Sequence, residues 1–169
     1  MMLIRHDRDA RGQTLVEFAL IFPLLVGMLV GAFDLGRVVL ANDLTANAAR
    51  EAARFAIVHG GSQLTACPVG PHDSTDLTPP AASASCPYPS PSTESIKQVA
   101  RDFASAGGQA VTVTVCYGSG CSGDTSTAFN KRGTEVTVSV TATVSTVAAR
   151  IIGIETFTVS STSTMLVNN

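Results

Sequence analysis

RGQTLVEFALIFPLLVGMLVGAF, Arg11 to Phe33, is the stretch on which the reading of this chain turns. From Leu15 to Phe33 it is apolar except for one charge, Glu17, near its N-terminal end. At ~1.5 Å per residue, such a run makes a helix of roughly 28 Å, about the thickness of a bilayer's hydrocarbon core. A carboxylate costs on the order of 2.5–3.5 kcal/mol at the membrane centre and less near the interface. An ordinary span has no reason to carry Glu17, so the residue is a functional candidate. The plainer reading is an interfacial Glu that reaches the headgroups.

Working outward, Arg5, Arg8 and Arg11 precede the span, which predicts a cytoplasmic N-terminus. Asp7 and Asp9 count little in that rule. Arg37 and Arg50, on the far side, are a mild counter-signal. A cleavable secretory signal is disfavoured, because Asp34 and Arg37 follow the apolar run where small residues are needed. An uncleaved signal anchor stays open. Pro23 should kink or loosen the helix. Gly27-x-x-x-Gly31 allows close helix approach, although membrane-helix composition alone explains it equally well.

The helical pattern continues from Gln13 to about His59. Beyond the span it turns amphipathic. Asp43, Asn47, Arg50 and Arg54 share one face; Leu40, Leu44, Ala48, Ala52 and Phe55 form much of the other. Arg50, Glu51 and Arg54 read as a solvated face with i, i+3 pairing, or more sharply as a subunit contact. Gly60-Gly61 ends the helix.

Two groups of residues carry a resemblance. The first is Gly12-Gln-Thr-Leu-Val-Glu17-Phe18, a Gly four residues before a Glu-aromatic pair that leads into an apolar helix. The second is Phe33-Asp34-Leu35-Gly36-Arg37 with Asn47-Ala48-Ala49-Arg50-Glu51-Ala52-Ala53-Arg54. Together they resemble the TadE-like proteins of the tight-adherence (Flp-type) pilus machinery. Phe18 and the large C-terminal part are similar to minor, pseudopilin-like members rather than to major Flp pilins. The resemblance implies cleavage between Gly12 and Gln13 by a membrane aspartic prepilin peptidase. It also implies that Glu17 pairs with the new ammonium on Gln13 of a neighbouring subunit, the two charges offsetting each other's burial cost. Glu17, Pro23, Arg50 and Arg54 are the candidate assembly residues. A Gly at the cut has no Cβ to obstruct a peptidase.

The chain has 169 residues, 45% apolar and 14% charged, with a formal net charge of −2. Roughly 110 residues follow the long helix (60–169), enough for one modest domain. The near-neutral balance without a basic patch argues against a nucleic-acid partner. Cys67, Cys86, Cys116 and Cys121 all follow the span, which points to disulfides in an oxidising compartment. Three connectivities exist; local pairing, Cys67–Cys86 and Cys116–Cys121, is the simplest. Zinc is the rival, but the spacings are wrong for paired CxxC motifs.

Residues 62–92 hold seven of the eight prolines and read as an extended loop. Ser95-Ile96-Lys97-Gln98 has capping-box spacing, followed by Val99, Ala100 and Phe103 at helical intervals, for a short helix over about 95–105 that ends at Gly107-Gly108. After that the period is two. Val111, Val113 and Val115, then Val136 to Ser145, then Phe157 to about Val167, predict three half-buried antiparallel strands, each with an apolar and a hydroxyl face. Residues 116–134 form a Gly/Ser-rich connection, and Arg150-Ile151-Ile152-Gly153 a loop or short turn.

The predicted fold is an α+β membrane protein, pilin-like, in which a long N-terminal transmembrane-plus-amphipathic helix packs on a small antiparallel sheet. Its parts are a cytoplasmic leader (1–12), a transmembrane helix (13–34), an amphipathic extracytoplasmic helix (35–60), a Pro/Ser-rich loop (61–94) and a short helix plus sheet (95–169). The expected place is the bacterial inner membrane, crossed once. Expected partners are the prepilin peptidase, other Tad pseudopilins or pilins, their membrane platform and the bilayer. No catalytic set or cofactor motif is visible: His6, His59 and His72 are scattered, and there is no Gly-x-Ser-x-Gly or phosphate loop. The alternative is an uncleaved, membrane-anchored extracytoplasmic binding domain that presents its Thr/Ser-rich sheet to a ligand.

Overall fold

A run of good helix formers interrupted only by Pro23 and single glycines gives one 50-residue helix, α1 (Asp9–Val58), about 75 Å long at 1.5 Å per residue. It begins four residues before the predicted start, since nothing at Asp9-Ala10-Arg11 stops a helix. Helical backbone continues through Pro23, whose ring leaves the Ala19 carbonyl without an amide donor. The computed structural model describes residues 9–59, 69–71, 93–151, 153 and 156–168. The remaining elements are α2 (Glu94–Ala104), a 3-10 turn (Ser105–Gly107), β1 (Ala110–Tyr117), β2 (Glu135–Ser145), α3 (Val147–Ile151) and β3 (Thr156–Leu166).

The two halves of α1 meet different surroundings. Through Phe33 its large apolar side chains are exposed, Leu15 by 70% and Phe33 by 78%. Beyond Asp34, Ala41, Thr45, Ala48, Ala49, Ala52, Ala53 and Ala56 are buried. They recur at helical spacing and form a seam of small side chains, so the sheet and α2 approach the helix closely. This corrects the predicted apolar face. Ala48 and Ala52 belong to the seam, but Leu40 is 52% exposed, and Leu44 and Phe55 are half-buried at its flanks. Closeness decides the seam; a leucine on it would hold the sheet off. The polar face is as expected, with Asp43, Asn47, Arg50 and Arg54 exposed.

The sheet is antiparallel in the order β1-β2-β3. Register sets like against like: Val113 opposes Val140, Val115 opposes Val138 and Val136 opposes Met165. Val113, Val115, Tyr117, Val136, Val138 and Val140 enter one core with the alanines of α1 and with Ile96, Ala100 and Ala104 of α2. The opposite face carries hydroxyls that pair across strands: Thr137 with Thr164 at 3.1 Å, Ser139 with Thr162 at 2.9 Å, and Thr141 with Ser160 at 3.2 Å. The period-two reading placed all three strands, with β3 starting and ending one residue earlier than expected.

Two local expectations fail. α2 begins at Glu94, so Ser95 lies inside the first turn and Thr93 stands at the N-cap without a side-chain bond. No capping box forms. Glu94 instead bonds forward, to Lys97 at 3.4 Å and Arg101 at 3.1 Å. Phe103, expected on the apolar face, is 50% exposed. The region of Arg150, expected as a loop or short turn, is the end of a one-turn helix, α3, with Gly153 beyond it at a φ of 84°. The Gly107-Gly108 stop holds, with Gly108 left-handed at 65°.

Candidate processing and anchoring segment

The residues proposed for processing sit together at the start of α1. Gly12, Gln13, Glu17 and Phe18 are all exposed. Gln13 and Glu17 are one turn apart, and the Gln13 amide donates to the Glu17 carboxylate at 3.5 Å. Phe18 stacks on Phe22, with ring centroids 5.4 Å apart. Both Gly12 and Gln13 are helical. A helical Gly costs up to about 1 kcal/mol relative to Ala, so Gly12 is a weak point of this stretch.

The apolar half that follows is the one helix among the described residues long and apolar enough to cross a membrane, with mean hydropathy 2.3 and none of its apolar window buried. An added Cβ at Gly27 or Gly31 meets nothing within 4 Å, so that face has no packing partner within the described chain. Pro23 lies in this exposed half.

Arg50 and Arg54 lie on the exposed face of the distal half, some 40 residues along the helix from Gly12. Among the described residues neither makes an ion pair, nor does Glu51, so the expected i, i+3 pairing is absent. The structure therefore splits the candidates into two groups on one helix.

Cys116 and Cys121 form a disulfide at the end of β1. Cys67, Cys86, His6 and His72 lie outside the described residues. Among the described residues no three His, Cys, Asp or Glu side chains gather as a metal site. His59 turns its Nδ1 to the Phe55 carbonyl at 3.0 Å and its ring to Phe55.

The disulfide loop also seals an edge. β1 is an outer strand, whose unpaired amides are open to other chains unless covered. Asp124 accepts from the Val115 amide at 3.0 Å and Ser126 from the Tyr117 amide at 3.2 Å. Lys97 of α2 donates to Asp124 at 2.9 Å and so ties the loop to the helix. Burial alone raises the Asp124 pKa, but the Val115 amide and Lys97 together outweigh it, and the carboxyl sits below its ordinary range.

Sequence reasoning missed Asp34. It is buried, 7% exposed, and accepts the Ala148 amide of α3 at 2.6 Å. A lone carboxylate at the end of an apolar run was the available signal; its partner, 114 residues away, left none.

Residues 12–54 match the family model TadE, described as TadE-like protein. The match takes in the processing segment, the apolar half of α1 and the distal half through Arg54, and leaves the sheet outside it. A comparison with curated proteins finds no match. A comparison with solved structures finds none either.

Proposed function

We propose, from a TadE-like segment over residues 12–54, that this chain is a minor pseudopilin-like structural component in the assembly of a tight-adherence (Flp-type) pilus or a related secretion system. The observation that carries the reading is the coincidence of that match with a helix exposed and apolar over one half and clamped to a small sheet over the other. In this reading a prepilin peptidase cuts between Gly12 and Gln13. The helix crosses the inner membrane once with its N-terminus cytoplasmic, and the sheet stands outside. The new ammonium at Gln13 faces Glu17 of a neighbouring subunit, while Pro23 adjusts packing between helices. Arg50 and Arg54, exposed and without ion pairs among the described residues, meet other pilins or the membrane platform. The chain is a substrate and a building part, not an enzyme.

One observation favours the second reading, an uncleaved membrane-anchored binding domain: Gly12 and Gln13 are already helical, continuous with the anchor. The mature N-terminus separates the two. Intact mass of the membrane-extracted chain, from cells with and without the peptidase, is expected to begin at Gln13 only when the peptidase is present. Retention of residues 1–12 in both strains overturns the pseudopilin route.

A further inference from the structure

Where α1 leaves its apolar half, α3 and the ends of β2 and β3 meet it and leave a cleft. Its volume is about 340 Å³, and Arg37, Ser145, Thr146, Val147, Arg150 and Thr156 line it. Two arginines and three hydroxyl-bearing residues thus share this lining, although Arg37 and Arg150 are 113 positions apart in the chain (150 − 37). Neither Arg makes an ion pair among the described residues. Thr146 is 4% exposed, and its Oγ1 has no hydrogen-bond partner there. That hydroxyl is sealed from the cleft, so the hydroxyl residues open to it are the exposed Ser145 and Thr156. Asp34 lies one turn from Arg37 but spends an oxygen on the Ala148 amide. Among the described residues, two Arg and one Asp leave a net local charge of +1, opposite in sign to a phosphodiester.

A second groove continues from the first. Leu29, Ala32, Phe33, Gly36, Arg37 and Leu40 line an apolar trough of about 390 Å³ that shares Arg37 with the cleft and runs back along the apolar half of α1. The level fits as well. Counting from the middle of Leu15–Phe33, Arg37 stands about 20 Å from the bilayer centre, inside the headgroup layer that spans roughly 15 to 22 Å.

We propose that this cleft holds one phospholipid, its phosphodiester between Arg37 and Arg150 beside the hydroxyl residues Ser145 and Thr156, and one acyl chain in the trough beside Leu29 and Phe33. The inference rests on the membrane-anchored reading. It also accounts for Arg37 on the far side of the span, where a cation otherwise weakens the topology: the lipid phosphate neutralises it. The arrangement fixes the depth of α1 and ties α3, and through it the sheet, to the membrane surface.

The test is native mass spectrometry of the full chain in neutral detergent, titrated separately with phosphatidylglycerol, with diacylglycerol of the same chains and with inorganic phosphate. One phosphatidylglycerol is expected to stay bound. The pair Arg37→Gln and Arg150→Gln should lower its occupancy about tenfold or more, and Ser145→Ala with Thr156→Val about threefold or more. Arg50→Gln with Arg54→Gln, the same charge change elsewhere, should leave occupancy unchanged. Equal retention of diacylglycerol, retention of inorganic phosphate alone, or parental binding by the Arg37/Arg150 pair each overturns the proposal. Alkaline carbonate extraction of the same variants reads membrane insertion separately. A chain that resists extraction yet retains no lipid sinks the cleft and leaves the anchor standing.

Discussion

Gly70 and Tyr117 meet at a point where position 70 has no room for a side chain. Gly70 has a φ of 86°, and a Cβ there would lie 2.7 Å from the Tyr117 ring. Both the backbone and the space demand glycine. The short segment 69–71 is held around it: Val69 takes a bond from its amide to the His59 carbonyl at 3.2 Å, and Asn130 bonds both Val69 and Pro71 carbonyls. Gly70→Ala is therefore expected to cost on the order of 2–4 kcal/mol, read as a lowered denaturation midpoint of the extramembrane part. Tyr117→Phe should behave in the opposite way. Its Oη is buried without a partner among the described residues, and burial holds the phenol well above its ordinary pKa. Removing the hydroxyl leaves the ring packing intact, so stability should stay level or rise by up to about 1 kcal/mol; a fall of that size would contradict the unpartnered assignment. Neither site was legible in the sequence. Pro68-Val69-Gly70-Pro71 reads only as loop, and Tyr117 reads as part of the 116–134 connection although β1 runs through it, because their contact spans 47 residues (117 − 70) with no local pattern.

At the level of elements, alternation told the strands and their faces, since a period of two leaves each side chain one of two choices. The helix seam was harder. The 3.6-residue period located the exposed face correctly, while the buried face followed closeness of packing rather than hydrophobicity, and Ala41 and Thr45 took the places that Leu40 and Leu44 seemed to claim. Ala52→Leu tests this: a fully buried alanine against the sheet leaves no room for three more carbons, and a loss of about 1–3 kcal/mol or more in urea unfolding is expected. Leu40→Ala should change stability by less than about 0.5 kcal/mol. The edge-sealing loop gives a pH dependence. Asp124 has a lowered folded pKa, so its contribution is fully present above the unfolded value near ~4 and is lost as pH falls through the folded one. Asp124→Asn should flatten the acid limb of the stability curve below about pH 4 and cost on the order of 1 kcal/mol at neutral pH, a modest figure because the side chain is half exposed. An acid limb as steep as the parent's would move that dependence to other carboxyls. The capping-box spacing misled because Glu94 found Lys97 and Arg101 first, and local spacing does not report such competition.

Across the whole molecule, one continuous helix has two differently surrounded halves, the first a candidate membrane span. About a dozen Leu, Ile, Val and Phe side chains lie between Leu15 and Phe33, each contributing roughly −0.3 to −0.6 kcal/mol in a membrane, for a total near −5 kcal/mol. Glu17 stands near the end of the span and opposes with less than the ~3 kcal/mol that the centre would exact, so insertion wins. Beyond Asp34 the balance reverses, because the alanine seam is satisfied by the sheet and α2 and has nothing to gain from lipid. A chain beginning at Asp34 should therefore be water-soluble and unfold cooperatively, with circular dichroism of a mixed helix and sheet, while the full chain stays with the membrane pellet under alkaline carbonate. Both behaviours follow from one division of α1 at Asp34. If the shortened chain remains in the pellet, the exposed Leu35, Val39 and Leu40 hold it there and the membrane boundary lies further along the helix. If the full chain washes off, the apolar half is covered by protein and not by lipid, and its exposed leucines and phenylalanines mark the surface through which it joins other helices.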